Sequence, residues 1–327
     1  SVISRSDSEA LIPVEVSRDI VAAVPEQSSV MQLARKLPNL SAKQRRMPVW
    51  DALVSAYFVN GDTGLKQTTK AQWVNKYVEA EELAVIVPIP EAVLDDNDYD
   101  IWGEVKPRLE EAFGVAIDAA LLNGANIPAT WTTNLGSAGL LAGATAASQV
   151  IDLSTQIAAG QDLYDVIMGE AGLLSLIEAD GFMTTGHLAS IAMRGKLRGL
   201  REKVWNGTTL VPAGAPIFKS SLQDPTRYEL DGDPLVFPKN GVIDPSTALM
   251  FSGQWDQLVY AMRQDITYKV LDQAVITDAA GTIVYNLAQQ DMVALRAVIR
   301  LGFALPNPIN RVNTSAASRY PFAVLVP

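Results

Sequence analysis

The sequence predicts a mixed fold of the α+β class, and three stretches carry that expectation. From Tyr99 to Gly124, apolar residues recur at Ile101, Val105, Leu109, Phe113, Ile117 and Leu121. Steps of four put them on one stripe of a long α-helix. From Val293 to Leu305, Val293, Leu295, Ala297, Ile299, Leu301, Phe303 and Leu305 alternate with a mixed set holding Arg296 and Arg300. Period two over so many residues predicts a strand. Between Met47 and Pro90 the chain is rich in β-branched and aromatic residues around Asn60-Gly61-Asp62-Thr63-Gly64, which reads as a long hairpin with turn residues at its tip.

The chain has 327 residues, 48% of them hydrophobic and 19% charged, an ordinary globular balance with enough length for two domains. Its formal net charge is -10. That excludes a surface built to grip nucleic acid all over, since such surfaces neutralise phosphates with Lys and Arg. It does not exclude enclosing nucleic acid at a distance. With no cysteine, disulfides, thiolate metal sites and cysteine nucleophiles are ruled out. The opening SVISRSDSEA lacks the apolar core of a signal peptide. A first residue of Ser leaves initiator removal and precursor cleavage both open. The longest apolar run, Leu83 to Pro90, is far short of the ~20 residues a membrane helix needs.

In chain order, residues 1–46 read as an arm, with a helical candidate from Ile20 to Leu37 broken by Pro25 and a basic end at Lys43, Arg45 and Arg46. That end is either a solvated turn or a contact to nucleic acid or a neighbouring subunit. A two-stranded hairpin cannot bury its own Trp50, Tyr57, Phe58, Trp73 and Tyr77, so another part of the chain or another copy must cover them. Asp95, Asp96, Asp98 and Asp100 crowd the start of the spine helix, where carboxylates meet the positive end of its dipole, and Asp100 is its expected N-cap. Pro107 either kinks this helix or marks a first turn, and Asn123-Gly124 stops it. Ala125 to Ser148 reads as a loop or a change of domain, and Leu163 to Ile177 as a helix capped by Asp162. Gly181-Phe182-Met183 is a strand candidate, followed by a helix from His187 to Leu200. Pro212 to Pro245 suggests loops with short strands, Ala248 to Leu271 strands, and Phe322 to Val326 a last strand.

No catalytic constellation emerges. His187 is the single histidine, expected as a surface or capping residue at a helix start. There is no phosphate-binding glycine motif. Asp96-Asn97-Asp98-Tyr99-Asp100 imitates a calcium loop but puts Ile101 where Gly is required and Pro107 in place of the closing Glu. No enzyme activity, cofactor or metal is expected.

Three stretches together carry a resemblance: LDDNDYDIWGEVKPRLEEAFGVAIDAALLNG, FSGQWDQLVYAMRQDITYKVL and AQQDMVALRAVIRLGFALPNP. In this order and spacing the chain resembles the major capsid proteins of tailed bacteriophages with the HK97-type fold. The resemblance implies an N-terminal arm (1–46), an extended loop (47–82), a peripheral domain (83–148 and 272–327) with its spine helix over about 100–123, and an axial domain (149–271). It implies hexamers and pentamers of this chain in an icosahedral shell around double-stranded DNA held without sequence specificity, built in the host cytoplasm. Portal, scaffolding and decoration proteins are further partners of that family, and no membrane is involved. The inter-subunit contact candidates are Trp50, Tyr57, Phe58, Lys66 and Trp73 on the loop, with Arg296 and Arg300 on the returning strand. In crosslinking members a loop lysine joins an asparagine on a neighbour, aided by a glutamate. Lys66 matches the lysine, but Asp291 stands in place of the asparagine and Val298 in place of the glutamate. A shell without covalent links is therefore expected. Two other classes stay open: an encapsulin-type compartment of the same fold, which encloses enzymes, and a soluble α+β enzyme.

Overall fold

The computed structural model describes residues 28–59, 66, 68–95, 101–220, 227–278 and 280–327. Residues 20–27 of the helical candidate, the hairpin turn at 60–64 and the capping aspartates 96–100 lie outside them, and the rest of that candidate is helix only over Ser29–Leu33 before it turns to strand at Arg35–Lys36.

The described chain opens on a short helix, α1 (Ser29–Leu33), and strand β1 (Arg35–Lys36). Strands β2 (Gln44–Ala52) and β3 (Gln72–Glu79) pair antiparallel as the expected hairpin, and β4 (Glu81–Pro90) follows directly. Arg45 and Arg46 belong to β2, so two of the three basic residues are in a strand and only Lys43 lies in a bend. Helix α2 (Glu91–Asp95) precedes the spine helix α3 (Ile101–Asn123), which is continuous through Pro107. Its stripe is buried at Leu109, Phe113, Ile117 and Leu121.

The stretch expected as a loop, 125–148, contains two helices instead, α4 (Ala129–Leu135) and α5 (Leu140–Ala146). Its small residues are there for close packing: a Cβ on Gly143 would collide with the Tyr320 ring, 2.5 Å from Cζ. Strand β5 (Val150–Asp152) leads into α6 (Leu153–Ala158), capped by Asp152. Asp162 caps a helix as expected, with Asp165 completing a capping box. That helix is two pieces, α7 (Leu163–Met168) and α8 (Leu173–Ala179), separated by Gly169 to Gly172. Residues 181–183 are not a strand. The strand is β6 (Gly186–Ala189), and helix α9 covers only Met193–Leu197. The apolar run around His187 is buried throughout, which suits a central strand and not an amphipathic helix.

Strands β7 (Arg201–Trp205) and β8 (Leu210–Pro216) form a second hairpin, followed by β9 (Phe218–Ser220), β10 (Tyr228–Leu230) and β11 (Asp233–Val236). Then come β12 (Met250–Gly253), the long β13 (Val259–Leu271), a small hairpin of β14 (Val275–Thr277) and β15 (Ile283–Asn286), the long β16 (Met292–Ala304) and β17 (Phe322–Val326).

Two larger sheets organise these pieces. The first runs β1-β13-β16-β4, and β16 is the strand expected from its alternation. Leu295, Ile299, Leu301 and Phe303 of β16 share a core with Leu109, Phe113, Ile117 and Leu121 of α3. The second runs β5-β17-β12-β6-β11-β10-β9, and its own core includes Ile167, Leu173, Ile177, Met193 and Leu325. Sheet membership does not follow the expected division at residue 271. β13 pairs along its length with β16, while β17 lies in the other sheet beside β12.

Candidate inter-subunit surfaces

The β2–β3 hairpin places Trp50 opposite Trp73, with ring centroids 4.6 Å apart. Stacking on each other does not hide them: Trp50 is 42% exposed and Trp73 55%. Tyr57 and Phe58 are also exposed, and Tyr77 is half-buried. Val54, Val59 and Val74 are exposed as well, Val74 on the face of β3 opposite Trp73. A patch of this kind on one hairpin marks an interaction surface. The hairpin touches the body through the loop before β17, where Ile309 N donates to Trp50 O at 3.4 Å and Arg311 Nη2 to Val54 O at 2.7 Å. Lys66 is exposed.

Arg296 and Arg300 lie on β16, four residues apart and on the side of the strand opposite the spine helix. Arg300 Nε donates to Glu82 Oε2 at 2.8 Å, and Arg296 stands between Ile86 and Lys269. Among the described residues no hydrogen bond or ring contact joins these arginines to the hairpin aromatics. Asp291 sits in the turn before β16 with φ 48°, its carbonyl accepting from Glu91 N. Val298 is buried between Ala84 and Thr267.

One residue escaped the sequence reading. Asp118, 1% exposed, interrupts the apolar run of α3 and holds the start of the described chain. It accepts from Ser28 Oγ at 2.5 Å, Ser29 N at 2.9 Å, Val30 N at 3.2 Å and Asn240 Nδ2 at 3.3 Å. Burial pushes its carboxyl up, against the pull of these four donors. Ser28 in turn caps α1 through Met31 N. A carboxylate two residues from Ala116 and Ala120, inside a helix meant to be buried, was the available signal.

His187 is corrected from a helix-start surface residue to a fully enclosed strand residue. Its Nδ1 lies 2.8 Å from Ser252 Oγ, and Nε2 is 3.8 Å from Asp233 Oδ2. Burial lowers its pKa to about 4, and the Leu230 carbonyl only partly opposes this. The desolvated ring is neutral at pH 7 despite the nearby carboxylate. Between pH 6.5 and 4 the unfolded chain therefore takes up a proton that the folded chain refuses. Stability is fully present above pH 6.5 and falls below it, by about 3 kcal/mol at pH 4. Urea titrations across that range will show this slope, and His187→Gln is expected to remove it. An unchanged slope in the variant would refute the assignment.

Among the described residues there is no group of three or more His, Asp or Glu that could hold a metal, and no helix is long and apolar enough to cross a membrane. The described residues form a mixed α+β body carrying a hairpin on which Trp50, Tyr57, Phe58 and Trp73 are exposed, a surface of the kind that marks an interaction site. The chain belongs to the phage capsid family, whose model matches residues 9–310. It is 27% identical over 305 residues to the major capsid protein of Staphylococcus phage 80alpha, covering 92% of this chain and 83% of that one. It is 25% identical to the probable major capsid protein gp17 of Mycobacterium phage L5, covering 90% and 86%. Its fold superimposes on a chain from the structure of Microbacterium phage Oxtober96 with TM-score 0.80, 32% identity and full coverage of both chains. A chain from Mycobacterium phage Adephagia gives 0.77 at 28% identity, covering 100% and 98%. The protein is thus a structural component of a phage shell, and self-association is part of its work.

Proposed function

We propose that this chain is an HK97-type subunit that assembles into hexamers and pentamers of an icosahedral shell around double-stranded DNA. The exposed ring surface of the β2–β3 hairpin supports this most directly: it needs a cover, and a neighbouring subunit supplies one at every position of a closed shell. In this view the hairpin is the extended loop. The α3 helix with the β1-β13-β16-β4 sheet is the peripheral unit, and the seven-stranded sheet with α6 to α9 is the axial unit. The net charge of -10 suits a wall that contains DNA without clamping it. Assembly takes place in the host cytoplasm, with portal, scaffolding and decoration proteins as further partners. Electron microscopy of the purified, assembled protein tests the proposal. Closed icosahedral particles holding DNA are expected. Shells filled with protein cargo and no DNA would favour an encapsulin-type compartment. A small discrete oligomer under assembly conditions would overturn it.

The shell is held without covalent links. Lys66 is exposed and available, but Val298 offers no carboxylate to assist it and is itself buried. Denaturing electrophoresis of mature particles should give a single monomer band, and a ladder above it would refute this.

A further inference from the structure

The chain carries a formal net charge of -10, yet three of its basic side chains meet at one cavity. The cavity measures about 910 Å³ and lies where the end of α1 meets α9 and the β10–β11 part of the seven-stranded sheet. Arg194 comes from α9, Arg227 from just before β10 and Lys239 from just after β11. Leu33, Val236 and Phe237 supply an apolar wall. Among the described residues no Asp or Glu lines it. A concave surface lined by one sign of charge concentrates the opposite sign.

Arg194 is held in the wall. Its Nη2 donates to Tyr228 Oη at 2.5 Å, and its Cζ lies 4.8 Å from the centre of the Tyr228 ring. Tyr228 is braced in turn by Phe218 and Phe237, each with ring centroids 5.5 Å from its own. Much of the freedom of this long side chain is therefore lost on folding and not on binding. Its Nε–H is enclosed and has no acceptor among the described residues. An enclosed donor on a charged group is costly to leave without a partner. Arg227 and Lys239 each have a contact of their own, and both line the cavity as well.

We propose that this cavity binds an organic phosphate of nucleotide size. Its phosphate sits among Arg194, Arg227 and Lys239 and supplies the acceptor that the Arg194 Nε–H lacks, since guanidinium and phosphate match in charge and shape. Its planar body lies against Leu33, Val236 and Phe237. The cavity itself selects this class. A bare phosphate ion leaves the apolar wall wet and most of the space unfilled, whereas sites for small organic ligands commonly span about 300–1,000 Å³. A DNA duplex is too wide to enter and brings its phosphates only to the mouth. Once filled, the site ties α1 to α9 and to β10 and β11, so the ligand braces the subunit. All of these parts belong to one chain, and no assembly is needed to complete the site.

Isothermal titration calorimetry on the unassembled full-length chain tests this, with deoxyadenosine monophosphate, deoxyadenosine, inorganic phosphate and a short DNA duplex as probes. The nucleotide is expected to bind roughly tenfold or more tightly than either the nucleoside or inorganic phosphate, and to raise the unfolding temperature. Arg194→Gln is expected to weaken nucleotide binding roughly tenfold or more, and Lys239→Gln, at an exposed position, to weaken it as well. Without ligand both variants should keep the circular dichroism of wild type. Should Arg194→Gln fail to fold, Lys239→Gln and Arg227→Gln carry the test, both at exposed positions. No detectable nucleotide binding would overturn the proposal, as would equal affinity for the nucleoside or for inorganic phosphate, or unchanged affinity in the folded variants. A duplex that binds through these residues while the nucleotide does not would assign the cations to packaged DNA and overturn it too.

Discussion

Replacing both Trp50 and Trp73 with alanine is expected to leave a folded, soluble chain that no longer closes shells. In the isolated subunit the two rings pack on each other and about half of each stays exposed, so their removal is expected to cost the monomer less than removal of a core ring. Most of the stabilisation they provide must come from what covers them. A tryptophan buried at the centre of an interface commonly contributes 2 kcal/mol or more, roughly, when truncated. In a shell that loss recurs at every copy, so a modest deficit per contact becomes an assembly defect. Thermal unfolding of the unassembled variant should stay within a few degrees of wild type, while sedimentation finds no particles. A variant that assembles normally would show that the hairpin rings are not an interface. A variant that fails to fold would show that they belong to the subunit's own core. Each single alanine should fall between, because the remaining ring still presents half of the paired surface.

The legible parts of this fold were those where one periodicity ran long enough to outvote local composition. The α3 stripe and the β16 alternation each repeat over more than ten residues, and both elements appear where the pattern put them. The hairpin was legible because nothing in its own sequence could bury its rings. Short elements were not. α4 and α5 have seven residues each, built from Ala, Gly, Thr, Leu, Asn and Trp, and they exist because the spine and Tyr320 accept only small neighbours there. Around His187, four buried residues look the same whether they lie on a helix or in a central strand, and only the partners β11 and β12 decide it. Chain order suggests contiguous units, but β13 and β17 each pair across residue 271. Asp118 needed three dimensions too, since its donors lie about ninety residues before it and more than a hundred after it.

Gly302→Val should destabilise the subunit itself, by about 3 kcal/mol or more. Gly302 lies near the end of β16, where the root of the hairpin crosses over it. An added Cβ would overlap the Glu79 carbonyl, with the carbonyl carbon at 2.6 Å and Val78 Cγ1 at 3.1 Å. Backbone cannot yield there as a flexible side chain would. Val78 is completely buried, and Ala80 N is tied to Lys43 O one residue further on. The bulkier residue must therefore lift β3 away from β16, opening the small core of Leu40, Val78, Val259, Ala261 and Ala304 that seats the hairpin on the sheet. Urea denaturation should show a lower midpoint, and limited proteolysis should cut first in residues 44–79. Stability equal to wild type would mean that the hairpin root shifts freely over the sheet. The contrast with the tryptophan pair separates the two tasks of this hairpin. Trp50 and Trp73 remain exposed on it, while Gly302 lets its root sit directly on the backbone of β16.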